Sequence, residues 1–117
     1  MAKILISDDS QFMRKILSDI LTKNGFDNII EAVNGEQAVE KFKSEKPDLM
    51  LLDVIMPEKD GIEVAKELIP QGAKVIMVSA VGQDDMIKQA KDLGVLGYII
   101  KPFEEKQVID EVKKALV

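Results

Sequence analysis

Apolar, β-rich runs alternate with amphipathic segments from one end of this chain to the other, and that alternation restricts the available folds more than any other feature. The runs are KILIS at 3–7, NIIEAV at 28–33, DLMLLD at 48–53, KVIMVS at 74–79 and GYII at 97–100. Four of them are almost continuously apolar, as strands covered on both faces should be. The second contains Glu31 and is expected at a sheet edge. Between the runs, apolar residues recur at helical spacing. Residues 10–24 align Met13, Ile16, Leu17 and Ile20, and residues 35–46 align Ala38, Val39 and Phe42 before Pro47. Residues 61–69 carry Val64, Ala65 and Leu68, and residues 83–93 carry Met86, Ile87, Ala90 and Leu93 up to Gly94. Residues 104–116 carry Val108, Ile109, Val112 and Leu116.

Five strand–helix units predict an α/β fold with a doubly wound, five-stranded parallel sheet and five helices, because parallel neighbours need crossover connections. Right-handed crossovers leave few strand orders, and 2-1-3-4-5 is the expected one. That order puts the switch point between strands 1 and 3, where ligands sit at the carboxyl ends. With 117 residues and no linker, repeat or low-complexity stretch, residues 1–117 read as a single domain.

Composition narrows the chemistry. There is no Cys and no His, so the usual zinc ligands, the thiol nucleophile and the commonest general base are all missing. The net charge of −5, with both signs interspersed and no basic run, argues against nucleic-acid binding. No apolar stretch suits a signal peptide or a membrane span, which leads to the expectation of a soluble cytoplasmic protein, a monomer by default.

The stretch LLDVIMPEKDG at 51–61 then raises a question: a strand that reads as buried finishes on a lone acid, Asp53. The strand order answers it. Strand 1 ends in Asp8-Asp9, strand 3 in Asp53, strand 4 in Ser79 and strand 5 in Lys101-Pro102, all at one edge of the sheet. Three acids so gathered repel, at about 4 kcal/mol for two unit charges roughly 4 Å apart. Either one stays protonated or a cation sits among them. An all-oxygen site with room for water suits Mg²⁺ better than zinc or copper. Lys101 adds one movable positive charge suited to an anion held there, and Ser79 a hydroxyl, which together suit a phosphoryl group. Without Cys or His the expected nucleophile is Asp53. Each piece also has an ordinary reading: Ser10 or its neighbours as a helix cap, Asp53 as a turn residue, Lys101-Pro102 as a strand terminator. Their joint placement on the strand tips is what favours a site.

These residues carry a family resemblance. DDS after strand 1, DVIMPEKDG after strand 3, SA after strand 4 and KPF after strand 5 resemble the response-regulator receiver domain, from about residue 3 to residue 116. DDSQFMRKIL, SAVGQDDMI and GYIIKPF resemble in particular the single-domain chemotaxis regulators of the CheY type. The resemblance implies that Asp53 accepts a phosphoryl group from a histidine of a sensor histidine kinase. It implies direct Mg²⁺ ligation by Asp9, Asp53 and the backbone carbonyl of Ile55, with Asp8 acting through water. Lys101 would ion-pair with the phosphoryl group, Ser79 would hydrogen-bond it, and the Lys101-Pro102 peptide would be cis. As Ser79 moves, Tyr98, the only tyrosine, would swing inward. Tyr98 and Ile100 share one side of strand 5 and, with Lys88 and Lys91 (and Lys106 and Lys113 nearby), would form the face that meets partners; taken singly, each Lys also reads as ordinary solvated charge. Two departures stand out. Ile55 and Val81 are apolar where they border the path of attacking water, so slow self-hydrolysis is expected.

The chain stops one helix after KPF, so output by partner contact is expected, to a flagellar or archaellar motor switch or adaptor protein. A phosphorelay carrier is the alternative. The resemblance implies no enzyme beyond its own phosphotransfer and dephosphorylation. Two rivals from other classes are a flavodoxin-like electron carrier and a small Mg-dependent aspartyl-phosphate hydrolase. The first lacks a phosphate loop after strand 1, and the second typically carries its nucleophile in an Asp-x-Asp stretch on strand 1.

Overall fold

The structure, a computed structural model, describes residues 2–117. Five strands, β1 (Ile4–Ser7), β2 (Ile29–Ala32), β3 (Leu49–Leu52), β4 (Val75–Ser79) and β5 (Gly97–Ile100), alternate with five helices. These are α1 (Gln11–Lys23), α2 (Gly35–Glu45), α3 (Gly61–Leu68), α4 (Asp84–Leu93) and α5 (Glu105–Ala115). All strand pairings are parallel and the order is β2-β1-β3-β4-β5, as the alternation predicts. One detail differs in the third helix: Pro70 follows it, and the chain tightens into a 3₁₀ turn at Ile69–Gln71.

Strand period two divides the core. Leu5, Met50, Leu52, Val75 and Met77 face α2, α3 and α4, meeting Ala38, Val64, Ala65, Leu68 and Ala90. Ile4, Ile6, Leu49, Leu51, Ile76 and Val78 point to the opposite face, against Leu17 and Leu21 of α1 and Val108 and Val112 of α5. Each such side chain contributes roughly 1.5–3 kcal/mol by leaving water. Strand β1, β3 and β4 are buried at every position. The expectation of four doubly covered strands fails at β5, where Tyr98 is half-buried and Ile100 is 40% exposed. That strand lies at the second edge of the sheet and is sheltered on one side only by β4. An apolar run does not distinguish the two situations.

Ser10, Asn34 and Asp60 cap α1, α2 and α3 by accepting backbone N–H bonds from Met13, Gln37 and Glu63. Asp60 and Glu63 form a reciprocal capping box. Helices α4 and α5 open at Gln83 and Glu104 with no side-chain cap. The backbone pairings run one residue beyond the strands at the carboxyl edge. Asp8 N–H donates to Ala32 O (3.2 Å), Asp53 N–H to Ser7 O (3.0 Å) and Lys101 N–H to Ser79 O (2.9 Å). Sheet register therefore fixes the backbone of Asp8, Asp53 and Lys101 at the tips.

Gly61 locks the segment after Asp53. Its N–H donates to Val54 O (2.7 Å), and a Cβ on it would collide with the Asp53 carbonyl, which is backbone and has no room to move. Gly61→Ala is expected to lower stability by about 1–3 kcal/mol. Urea unfolding would show it as an earlier midpoint at unchanged slope; a midpoint equal to wild type would contradict this packing.

Candidate functional site

Three strand tips meet at the switch point. Asp8 is 2% exposed and Asp53 8%, while Asp9 beside them is open to solvent. One carboxylate oxygen from each of the three lies within 4.8 Å of the others. Lys101, arriving from the end of β5, spans the two buried acids: its Nζ is 2.8 Å from Asp8 Oδ2 and 3.0 Å from Asp53 Oδ2. The Lys101-Pro102 peptide is cis. Burial pushes the ammonium's pKa down, but its hydrogen bonds and ion pairs with Asp8 and Asp53 win, and the net pKa is raised above the ordinary lysine value. The lysine is therefore charged at neutral pH.

The carboxylates are not equally free. Asp8 has both oxygens engaged, Oδ1 by the Ser10 N–H (2.9 Å) and Oδ2 by Lys101. Asp53 Oδ1 accepts a longer bond from Ile55 N–H (3.2 Å). Asp9 has no side-chain hydrogen bond, and the Ile55 carbonyl accepts none, among the described residues. Three negative charges with one ammonium leave a deficit of two. Oxygen donors, that deficit, and two unengaged ligands at the solvent side fit a hard divalent cation such as Mg²⁺. Ser10 does both things its sequence position allowed. It caps α1, and its N–H fixes the Asp8 carboxylate.

Next to this cluster, Ser79 is fully buried and its Oγ accepts the Val81 N–H (3.2 Å). The Val81 carbonyl in turn accepts the Tyr98 hydroxyl. Tyr98, expected to swing inward, is thus already half-buried and engaged with the 79–83 loop in this structure. Burial raises its phenol pKa above the ordinary value; the Ser79 hydroxyl offsets part of this and the Asp53 charge adds to it. Ile100 lies on the same side of β5 and packs under Gly82. Lys88 and Lys91 are exposed on α4, Lys88 paired with Asp92 in an i,i+4 bridge (3.0 Å). They are not brought to the acidic cluster. Ile55 is 65% exposed at its rim.

Sequence reasoning missed Arg14. Its Nη1 donates to the Asp8 carbonyl (2.7 Å) and its Nε to Glu31 Oε1 (2.8 Å). A signal existed: of the chain's 16 basic residues, fifteen are lysine and only this one is arginine.

Comparison with known proteins agrees with this geometry. The family model described as the response regulator receiver domain matches residues 4–113. The chain is 47% identical over 116 residues to the chemotaxis protein CheY of Bacillus subtilis (strain 168), covering 97% of each. It is 41% identical over 116 residues to sporulation initiation phosphotransferase F of the same organism, covering 97% of this chain and 93% of that one. Among solved structures it is similar to the CheX-CheY-BeF3-Mg+2 complex from Borrelia burgdorferi, with a TM-score of 0.93 and 37% identity over 99% of this chain and 90% of that one. Among the described residues no helix is long and apolar enough to cross a membrane.

A raised phenol pKa means that the folded state keeps its proton where the unfolded chain loses it. The associated stability is complete below the unfolded value of about 10 and is lost as pH rises through the higher folded value. Because Tyr98 is the only tyrosine, ultraviolet absorbance of tyrosinate reports it alone. Its midpoint is expected above 10, and Asp53→Asn should move it down. A midpoint unaffected by Asp53→Asn would show that the two groups do not sense each other.

Proposed function

The chain belongs to the response regulator receiver domain family, and we propose that it is a phosphorylation-activated switch of a two-component system, acting in chemotaxis or motility control. Asp53 is the acceptor. One of its carboxylate oxygens attacks the phosphorus of a phosphohistidine on a sensor histidine kinase. The O–P bond forms as the P–N bond breaks, and the imidazole leaves with the bonding pair and takes up a proton. Asp9, Asp53 and the Ile55 carbonyl would hold Mg²⁺, with Asp8 acting through water; when bound, the ion would supply charge compensation at the phosphoryl oxygens. Catalysis is then mostly positioning and electrostatics.

The observation that carries this reading is Lys101 Nζ bridging Asp8 and Asp53 at 2.8 and 3.0 Å. As Asp53 gains a phosphoryl group its carboxylate charge moves outward, and Lys101 follows it onto a phosphoryl oxygen. The Ser79 hydroxyl donates to another, while still accepting from Val81 N–H. Because Val81 also holds Tyr98, the load on Ser79 passes to β5. Helix α4 is entered from that loop without a side-chain cap. The face of Tyr98, Ile100, Lys88 and Lys91 carries the signal to a motor switch or adaptor protein. The Borrelia relative captured with CheX supports contact with a partner protein. The protein acts in the cytoplasm as a monomeric receiver and catalyses only its own phosphotransfer and dephosphorylation. The relative named as a sporulation phosphotransferase favours, as a second reading, a carrier that passes the phosphoryl group onward.

Acetyl phosphate with Mg²⁺ is expected to add one phosphoryl group to the intact protein by mass spectrometry, and Asp53→Asn to abolish the addition; labelling that survives the substitution would sink this assignment. Ile55, exposed at the rim, keeps water from the phosphoryl group. Ile55→Asn is therefore expected to speed loss of radiolabelled phosphate several-fold, and a variant slower than wild type would reverse that role.

A further inference from the structure

We propose that Arg14 is a positioning residue that sets the Asp8–Asp9 peptide for the divalent cation, an inference that rests on the metal reading above. The carbonyl of Asp8 and the N–H of Asp9 share one rigid peptide plane. Beyond Ser7 the strand has ended, so that carbonyl has no partner in the sheet. Arg14 Nη1 supplies one at 2.7 Å. Among the described residues neither the backbone nor the side chain of Asp9 makes another hydrogen bond. The exposed ligand is thus held only through this peptide, and Arg14 is the one side chain that holds the peptide itself.

The arginine is itself fixed. Its side chain is 11% exposed, its N–H donates to Ser10 O (3.0 Å) in the first turn of α1, and its Nε is bound by Glu31 of the edge strand β2. One planar guanidinium therefore ties strand tip, helix and sheet edge together through two donors at a fixed angle. A lysine has a single point of donation and no such fork. The chain's use of lysine at every other basic position is consistent with a geometric demand here.

Charge and position make opposite predictions, which makes the role testable. A nearby cation repels Mg²⁺, so an arginine acting by charge alone weakens binding, and its removal tightens it. An arginine acting by position tightens binding, and its removal weakens it. Supporting groups that orient metal ligands are typically worth ten- to a hundredfold in affinity. Mg²⁺ titration by calorimetry, with the Asp9 amide followed by nuclear magnetic resonance, separates the cases. Arg14→Gln is expected to weaken Mg²⁺ about tenfold and to broaden or shift the Asp9 amide signal before metal is added. Arg14→Lys, which keeps the charge and is the variant to read if Arg14→Gln fails to fold, is expected to be weakened as well. Glu31→Gln should weaken binding less, and adding it to Arg14→Gln should change nothing further, because it acts through the arginine. Equal or tighter Mg²⁺ binding by the Arg14 variants overturns the proposal while leaving the metal site intact. A wild-type protein that does not bind Mg²⁺ overturns the metal reading itself, and Arg14's role with it.

Discussion

Two carboxylates with almost no exposure, Asp8 and Asp53, share one ammonium, and the rest of the site depends on that arrangement. Isolated charges are too costly to bury, and an acidic pair at this separation repels. Lys101 resolves both problems and is held charged in return. The neutralisation is incomplete, because the third acid, Asp9, stays at the solvent side with nothing bonded to it among the described residues. A pocket balanced in this way keeps a net negative charge and a lysine held by carboxylates, the two properties on which the proposed cation and phosphoryl binding rest. Both properties follow from the same three-to-one ratio of charges.

The sheet explains why such a pocket survives folding. Along every strand the alternating side chains serve two apolar layers, so polar groups are confined to the tips. Parallel register then brings all the tips to one edge, and hydrogen bonds one residue past the ladders hold Asp8, Asp53 and Lys101 by the backbone. The face proposed for output lies at an edge of the sheet. β5 is an edge strand, and its Tyr98 and Ile100 reach solvent on the side of the 79–83 loop. Ser79, buried at the centre, and Tyr98, half-exposed at the rim, are joined through one residue, Val81, whose N–H donates to the serine and whose carbonyl accepts from the tyrosine. A change at the first therefore has a short route to the surface.

The parts differ in how legible they were in the sequence. Asp53 and Lys101 stood out because each ends an apolar run abruptly, and the strand order then placed them together. Ser10 was ambiguous between cap and site, and the fold uses it for both. Arg14 left only a compositional trace, as the one arginine among the basic residues, because an arginine on the polar side of an amphipathic helix looks like any solvated charge. Only in three dimensions do Glu31, seventeen residues on, and the Asp8 carbonyl close around it. Strand β5 read as doubly covered because GYII is apolar, yet apolarity reports what a residue tolerates and not what lies beside it.

The sequence by itself determined the element order, the parallel sheet and the identity of the acids, lysine and serine at its carboxyl edge. Those follow from periodicity and from rules on strand crossovers, which are local or topological. Only the tertiary structure decided which oxygens Lys101 spans, which ligands stay free, that Tyr98 rests inward on Val81, and that Arg14 holds the Asp8–Asp9 peptide. Each of these depends on distances of about 3 Å between residues far apart in the chain, and contacts of that precision are set by the packing of the whole core.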